Sequence, residues 1–339
     1  MITTTVQGRT WNFSHAIGHL SIAEEGCIFP YSIATADSNL IYVLNRAPDP
    51  LEGDGNKRGQ RNFKRIGKWK LEDEFICDLA KEDLLWPVSL TVDEEKYLYC
   101  TDEVKHRILK YDPEDRKVSE WGIEGSCEGQ FFRPAGIASD LSGHIYVVDA
   151  GNNRVQKFTG DGDFINSWGT RGSETGQFKD PWGITLDSKG FIYIADWGND
   201  RVQKFTADGE YVQTFGYLEP EELRLNHPSD VAVDSEGDVY VTDWGNKRVQ
   251  IFDSDGGILT SLHGDANELS KSAREFLEVN TDYAKAMDRA KDKSHLGLFD
   301  RPTSIAVTGD DRIIICDTTR HRLHVYNKES DYIEPLYNI

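Results

Sequence analysis

Residues 196–205 read DWGNDRVQKF, and nearly the same ten letters recur 47 residues later, at 243–252, and 47 residues earlier, at 149–158. Each copy follows a proline by 15 residues, and six such pairs of a proline and a polar marker occur along the chain. The prolines are Pro30, Pro87, Pro134, Pro181, Pro228 and Pro302, and the markers are Asn45, Asp102, Asp149, Asp196, Asp243 and Asp317. A fixed period of about 40–50 residues predicts a repeat architecture.

Each repeat contains short runs rich in β-branched and aromatic residues, such as GIAS, IYVVD and RVQKF, followed by a fourth run ending in Trp168 or Phe215. Ser142-Gly143 and Asp161-Gly162 separate these runs, and such pairs favour tight hairpins. Four antiparallel strands per repeat are typical of a propeller blade. The sequence therefore predicts an all-β fold, a six-bladed β-propeller of four-stranded antiparallel blades.

The N-terminal segment WNFSHAIGHLSIAEEGCIFP (11–30) aligns with the end of a blade, FINSWGTRGSETGQFKDP (164–181), and not with its beginning. An N-terminal strand that completes the last blade would close the ring and leave no long free edge. The tail DYIEPLYNI (331–339) could add another strand there, in an order that the sequence leaves open. Residues 1–339 are thus predicted to form one domain.

The pattern PxGIAxDxxGxIYVxDxxNxRVQKF resembles the NHL repeat family of six-bladed propellers. Residues 134–252 match it closely, whereas 87–111 and 302–326 match less well and 30–46 is degenerate, with Asn45 in place of aspartate. The resemblance implies the fold more than the function. The recurring Asp, Asn and Arg are predicted to be structural, fixing turns and joining blades, with a ring of metal-binding carboxylates as the alternative.

The formal charge of −20 argues against nucleic acid as a partner, because phosphates would be repelled. No run approaches the ~18 apolar residues of a transmembrane helix, so no membrane association is expected. The five cysteines form no CxxC pair and the first residues lack a signal-peptide pattern. These features predict free thiols and a cytoplasmic protein, and we expect a monomer.

Two insertions, 47–60 and 266–296, interrupt the period. In a four-stranded blade, the connection after the second strand and the connection to the next blade emerge on one face, so both insertions are predicted at one mouth of the channel. The second insertion is predicted to be helical between blades 5 and 6, with Leu269, Ala273, Phe276 and Leu277 on one stripe. It could be a lid or docking element, or a surface excursion without function.

Large and charged residues flank the opening prolines and follow two of the markers at the same mouth. Aromatic rings with a few charges in a concavity resemble a small-ligand site, although each ring could instead pack between blades. The predicted ligand-binding residues are Tyr31, Trp86, Arg133, Trp182, Trp197, His227, Asp230, Trp244 and Arg301.

No local catalytic motif is present, so catalytic residues are not assigned. Three residues that could converge near the junction of blades 5 and 6, His227, Asp230 and His263, are a candidate metal set for zinc or calcium, with His295 as a further ligand. Resemblance to the peptidyl-hydroxyglycine amidating lyase and to gluconolactonase-like propellers implies zinc and calcium chemistry, respectively. Resemblance to the tripartite-motif proteins implies RNA or protein binding, and the negative charge of this chain opposes RNA.

The sequence predicts a binding module. Its protein partner or small ligand is expected to dock at the channel mouth where the two insertions are predicted. The alternative is a metal-dependent lyase or hydrolase with its site in the same mouth. Whether the protein is an enzyme stays open at this stage.

Overall fold

In the computed structural model the chain forms six blades arranged around a central channel, which confirms the predicted fold class. The structure describes residues 3–19, 26–46, 64–217, 221–280, 282, 285 and 297–330. No helix in these ranges is long and apolar enough to cross a bilayer.

The strands of the first two blades follow two N-terminal strands. Their bounds are β1 Thr3–Val6, β2 Arg9–Ile17, β3 Pro30–Thr35, β4 Leu40–Asn45, β5 Arg65–Lys70, β6 Glu74–Leu79, β7 Pro87–Val92, β8 Leu98–Asp102, β9 Arg107–Tyr111 and β10 Lys117–Trp121. The connection between the third and fourth blades contains a two-stranded parallel ladder, β15–β16. Their bounds are β11 Pro134–Ser139, β12 Ile145–Asp149, β13 Arg154–Phe158, β14 Phe164–Trp168, β15 Thr170–Arg171, β16 Gln177–Phe178, β17 Ile184–Leu186, β18 Ile192–Asp196, β19 Arg201–Phe205 and β20 Tyr211–Phe215.

The segment of chain that connects the last two blades contains the helix α1. The bounds are β21 Pro228–Val233, β22 Val239–Asp243, β23 Arg248–Phe252, β24 Ile258–Leu262, α1 Lys271–Val279, β25 Pro302–Val307, β26 Arg312–Asp317 and β27 Arg322–Glu329. Short 3-10 turns occur at Ala150–Asn152, Trp197–Asn199, Glu221–Leu223, Trp244–Asn246 and Thr318–Arg320.

The N-terminal strand closes the ring, as predicted. Blade 6 has the strand order β1-β2-β27-β26-β25, and β2 pairs antiparallel with β27 from Thr10 opposite Glu329 to Ile17 opposite Leu323. The fifth strand of this blade is β1, which comes from the N-terminus. The predicted contribution of 331–339 lies outside the described residues.

Burial explains the sequence pattern of the strands. Every residue of the second strand in blades 2 to 5 is buried, as in β12, because blades cover both faces of that strand. A strand covered on both faces carries a continuous apolar run instead of an alternating one. The outer strands are the solvent-facing ones, and β10 is mostly exposed.

The side chains of the repeated ten-residue motif connect the strands and loops at one corner of blades 3 to 5. Asp196 is fully buried, and its Oδ1 accepts a hydrogen bond from Lys179 N at 2.8 Å. Its Oδ2 accepts from Asn199 Nδ2 at 2.9 Å and Arg201 Nε at 2.8 Å. Arg201 Nη2 in turn donates to two carbonyl oxygens of the incoming loop, 174–177. Equivalent bonds surround Asp149 and Asp243, so the predicted structural role of this set is confirmed.

The described part of the second insertion contains α1, as the sequence predicted. Ser270 caps α1 by accepting a hydrogen bond from Ala273 N at 3.0 Å, and Asp73 of the β5–β6 turn accepts one from Ser272 N at 2.6 Å. The ring of Phe276 lies 5.1 Å from that of His19, just after β2. The helix therefore lies against outer strands where blades 6 and 1 meet. Residues 47–60 and most of 281–296 lie outside the described residues, and the shared mouth stays a prediction.

Candidate functional site

One mouth of the channel contains a cavity of about 460 Å³, formed by residues from five blades. Three positions in the repeat supply most of its wall: the residues before and after each opening proline, and the residue after each marker. The lining residues are Tyr31, Arg46, Arg133, Ala150, Asp180, Trp182, Trp197, Ser229, Trp244, Arg301 and Thr303.

Six of the nine predicted ligand-binding residues line this cavity. They are Tyr31, Arg133, Trp182, Trp197, Trp244 and Arg301. The other three are nearby or deeper. Trp86 lies behind Arg46, with its ring 4.9 Å from the guanidinium carbon, and His227 packs edge-on against Trp197 with ring centroids 4.1 Å apart. Asp230 lines the channel below the mouth.

Sequence reasoning missed Arg46 and Ala150 as lining residues. Both follow a marker directly, which is also the position of Trp197 and Trp244. The alignment of the repeats therefore indicated this position, but of its residues only the two tryptophans were predicted to bind a ligand.

A cluster of stacked and paired side chains forms the wall on the side of blades 1 to 3. The Arg46 guanidinium carbon lies 3.4 Å from the centre of the Tyr31 ring, and Arg46 Nη1 lies 4.0 Å from Glu103 Oε2. The same Glu103 carboxylate forms an ion pair with Arg133, whose Nε lies 2.8 Å from Oε1. Burial lowers the pKa of Arg46 and raises the pKa of Tyr31. Two guanidinium groups thus share one carboxylate.

Tryptophans form the wall on the side of blades 4 to 6. Arg301 lies over the Trp244 ring, with its guanidinium carbon 5.3 Å from the ring centre. Trp182, Trp197 and Trp244 are each half-buried, so part of each indole faces the cavity. Aromatic faces beside cations suit a ligand that has both an apolar body and a polar end.

Asp230 is the one ionisable side chain among the described residues that line the channel below the mouth. Its Oδ1 accepts a hydrogen bond from Val231 N at 3.0 Å, and its Oδ2 accepts one from Ile305 N of the next blade at 3.1 Å. Burial raises the pKa of Asp230 to about 7, although hydrogen bonds from Ser304 and the two backbone groups lower it. The carboxyl group therefore joins two blades.

The structure does not bring the candidate metal set together. His227 lies at the rim, where its Nδ1 is 2.5 Å from Asn226 Oδ1, whereas Asp230 lies in the channel and His263 is exposed. No group of three or more His, Cys, Asp or Glu in the described residues could hold a metal ion. The described residues therefore do not fit zinc or calcium, and His295 lies outside them.

The NHL repeat family matches residues 131–158, 178–205, 225–252 and 299–326. These segments are the first three strands of blades 3 to 6. The chain is thus a six-bladed β-propeller that carries NHL repeats. A comparison with curated protein sequences gives no match.

Solved structures of similar fold have varied functions. A streptogramin B lyase shares 13% identity at a TM-score of 0.57, over 94% of this chain and 98% of that one. A gluconolactonase from Xanthomonas campestris shares 12% identity at a TM-score of 0.59, over 94% and 98%. A nidogen/laminin complex contains a chain with 17% identity at a TM-score of 0.54, over 77% and 92%. At such identities the likeness shows the fold alone.

Proposed function

We propose that this protein binds a small ligand in the cavity at the channel mouth. The observation that carries the proposal is a concavity of about 460 Å³ that combines four aromatic rings with three arginines from different blades. Small-molecule sites typically enclose about 300–1,000 Å³ and have mostly apolar walls with a few polar groups.

The distribution of variable residues supports this proposal. The buried Asp and Arg of the repeat recur from blade to blade because they maintain the scaffold. The mouth positions differ instead: the residue after the proline is Tyr31 in blade 1, Trp182 in blade 4 and Thr303 in blade 6. A repeat fold that varies at one concave end has the arrangement expected of a binding surface.

A protein partner could use the same cavity by inserting a side chain, and the test must separate the two ligands. A metal-dependent lyase or hydrolase is the other candidate, suggested by two structural neighbours, a streptogramin B lyase and a gluconolactonase. The described residues contain no metal-binding group at the mouth, so no observation favours that candidate over binding.

The test is a fragment screen against the whole protein by ligand-observed NMR at about 1 mM fragment. We expect aromatic fragments to bind, and replacement of Trp197 with alanine to weaken them about tenfold through lost stacking. Tyr211→Ala, which removes an aromatic ring from the outer strand β20, should leave binding unchanged. Equal binding by both variants, or no bound fragment, would contradict the proposal. Capture of a folded protein that Trp197→Ala abolishes, without fragment binding, would favour the protein partner.

A further inference from the structure

We infer that the ligand of the mouth cavity is a monoanion, a carboxylate attached to a planar apolar body. The inference rests on the proposed function, because it names the chemical class of the ligand for that cavity. It depends on three observations: the sign of the local charge, the incomplete pairing of Arg46, and the position of Arg301 over an indole ring.

The cavity is positive in a strongly negative protein. The chain has a formal charge of −20, yet among the described residues the wall contains Arg46, Arg133 and Arg301 against one acid, Asp180. Glu103, which lies beside two of these arginines, leaves one positive charge in excess. A local reversal of sign in a concavity concentrates ligands of the opposite charge.

Arg46 is a largely buried cation that contacts the Tyr31 and Trp86 rings but has only a distant and shared carboxylate partner. Its side chain is only 11% exposed, and the Glu103 carboxylate lies 4.0 Å from Nη1. That carboxylate forms its closer contact with Arg133, at 2.8 Å. Nη1 also donates a long hydrogen bond of 3.4 Å to the Pro87 carbonyl oxygen. Because a buried charge is costly unless it is paired and hydrogen-bonded, an anion in the cavity would complete this site.

Arg301 provides a second cation on the adjacent blade. Its guanidinium carbon lies 5.3 Å from the Trp244 ring centre, and among the described residues no carboxylate oxygen lies within 4.0 Å of it. Arg301 is close enough to Tyr31 to lower the pKa of that hydroxyl, although burial dominates and the pKa is raised overall. Arg46 and Arg301 are therefore both close to Tyr31.

The combination of groups defines the class of ligand. A guanidinium binds a planar carboxylate through two parallel hydrogen bonds, and an indole stacks on a planar apolar group. One excess positive charge matches a monoanion, whereas a phosphate dianion would overcompensate it in a chain of charge −20. The tryptophans would contact the apolar body and the arginines the carboxylate.

The test compares 2-naphthoate with 2-naphthamide, which have the same ring system and differ in charge. Titration calorimetry on the full chain should give a Kd for the carboxylate about tenfold or more below that of the amide. Arg301→Gln should remove most of this preference, and Arg301→Lys should retain part of it. Lys189→Gln, which removes one positive charge at the opposite end of blade 4, should leave both Kd values unchanged. Arg46→Gln is a second variant, and its folding is checked by circular dichroism.

The outcomes separate the two proposals. If the amide binds as tightly as the carboxylate and Trp197→Ala weakens both, the cavity binds ligands but the anion inference is overturned. A carboxylate preference that survives Arg301→Gln and Arg46→Gln would also overturn it. If neither compound binds, the anion inference is overturned, and the fragment screen decides whether the proposed function fails with it.

Discussion

Replacing Asp230 with serine removes a carboxylate from the channel and retains the bond between two blades. Blades 1 and 6 have serine at the same position of the repeat, and each of those hydroxyls accepts a hydrogen bond from a backbone N–H of the next blade. The distances are 3.1 Å for Ser32 and 3.3 Å for Ser304, against 3.1 Å from Ile305 N to Asp230 Oδ2. The substitution therefore tests the charge of Asp230 separately from its connecting role.

The sign of the pH effect follows from the pKa of Asp230, which burial raises from 3.8 to about 7. At a pH between these two pKa values, Asp230 is mostly protonated in the folded protein and mostly ionised in the unfolded chain. The stabilising contribution of the protonated carboxyl group is complete below about pH 4 and is lost as the pH rises through about 7. Between pH 5 and pH 8 the free energy of unfolding contributed by this group falls by at most about 2.5 kcal/mol. Asp230 is partly exposed to the channel, which reduces this value, so we expect about 1–2.5 kcal/mol.

The measurement is urea unfolding of the wild type and Asp230→Ser, followed by tryptophan fluorescence at pH 5, 6.5 and 8. The variant loses the hydrogen bond from Val231 N, a cost of about 1 kcal/mol that does not depend on pH. Relative to the wild type, the variant should therefore gain free energy of unfolding as the pH rises. Asp208→Asn, at an exposed turn, should show no such trend. A difference between the wild type and Asp230→Ser that stays constant from pH 5 to pH 8 would refute the reasoning.

Three further substitutions test the scaffold by chemical denaturation and limited proteolysis. Asp196→Asn should cost about 2–4 kcal/mol, because four side-chain and backbone donors converge on a buried carboxylate that an amide cannot replace. Gly183→Ala should cost about 1–3 kcal/mol, because its Cβ would lie 2.6 Å from the backbone of the adjacent blade, whereas Gly309→Ala meets no atom within 4 Å and should be neutral or slightly stabilising. Asp73→Ala should cost about 1–2 kcal/mol and accelerate cleavage within α1, because the carboxylate accepts hydrogen bonds from Gly18 N and Ser272 N, and Glu72→Ala should not.

The blades could be predicted from the sequence because each blade repeats the same local pattern of residues. The proline, the marker and the arginine recur at fixed offsets, and the buried second strands are continuous apolar runs. Ring closure was also predictable, since the N-terminal segment has the pattern of a fourth strand. These features depend on residues close in sequence or on the repeat itself, so alignment within one chain is sufficient to identify them.

The site was only partly predictable because it depends on contacts between blades. Arg46 stacks on Tyr31 of its own blade, but its carboxylate partner Glu103 is 57 positions away and shows no spacing rule. His227 and Asp230 are close in sequence, yet the start of β21 places one at the rim and the other in the channel. The position directly after each marker residue could have identified this part of the site, since it supplies Arg46 as well as Trp197 and Trp244.

The most direct test of the mouth site is the set of indole N–H signals in the NMR spectrum of the whole protein. The chain has eight tryptophans. Four lie at the mouth or directly behind it, namely Trp86, Trp182, Trp197 and Trp244, and four lie elsewhere, namely Trp11, Trp69, Trp121 and Trp168. Saturating 2-naphthoate should shift the signals of Trp182, Trp197 and Trp244 and leave those of the second group in place. Shifts confined to the second group, or equal shifts in both groups, would contradict a ligand site at the channel mouth.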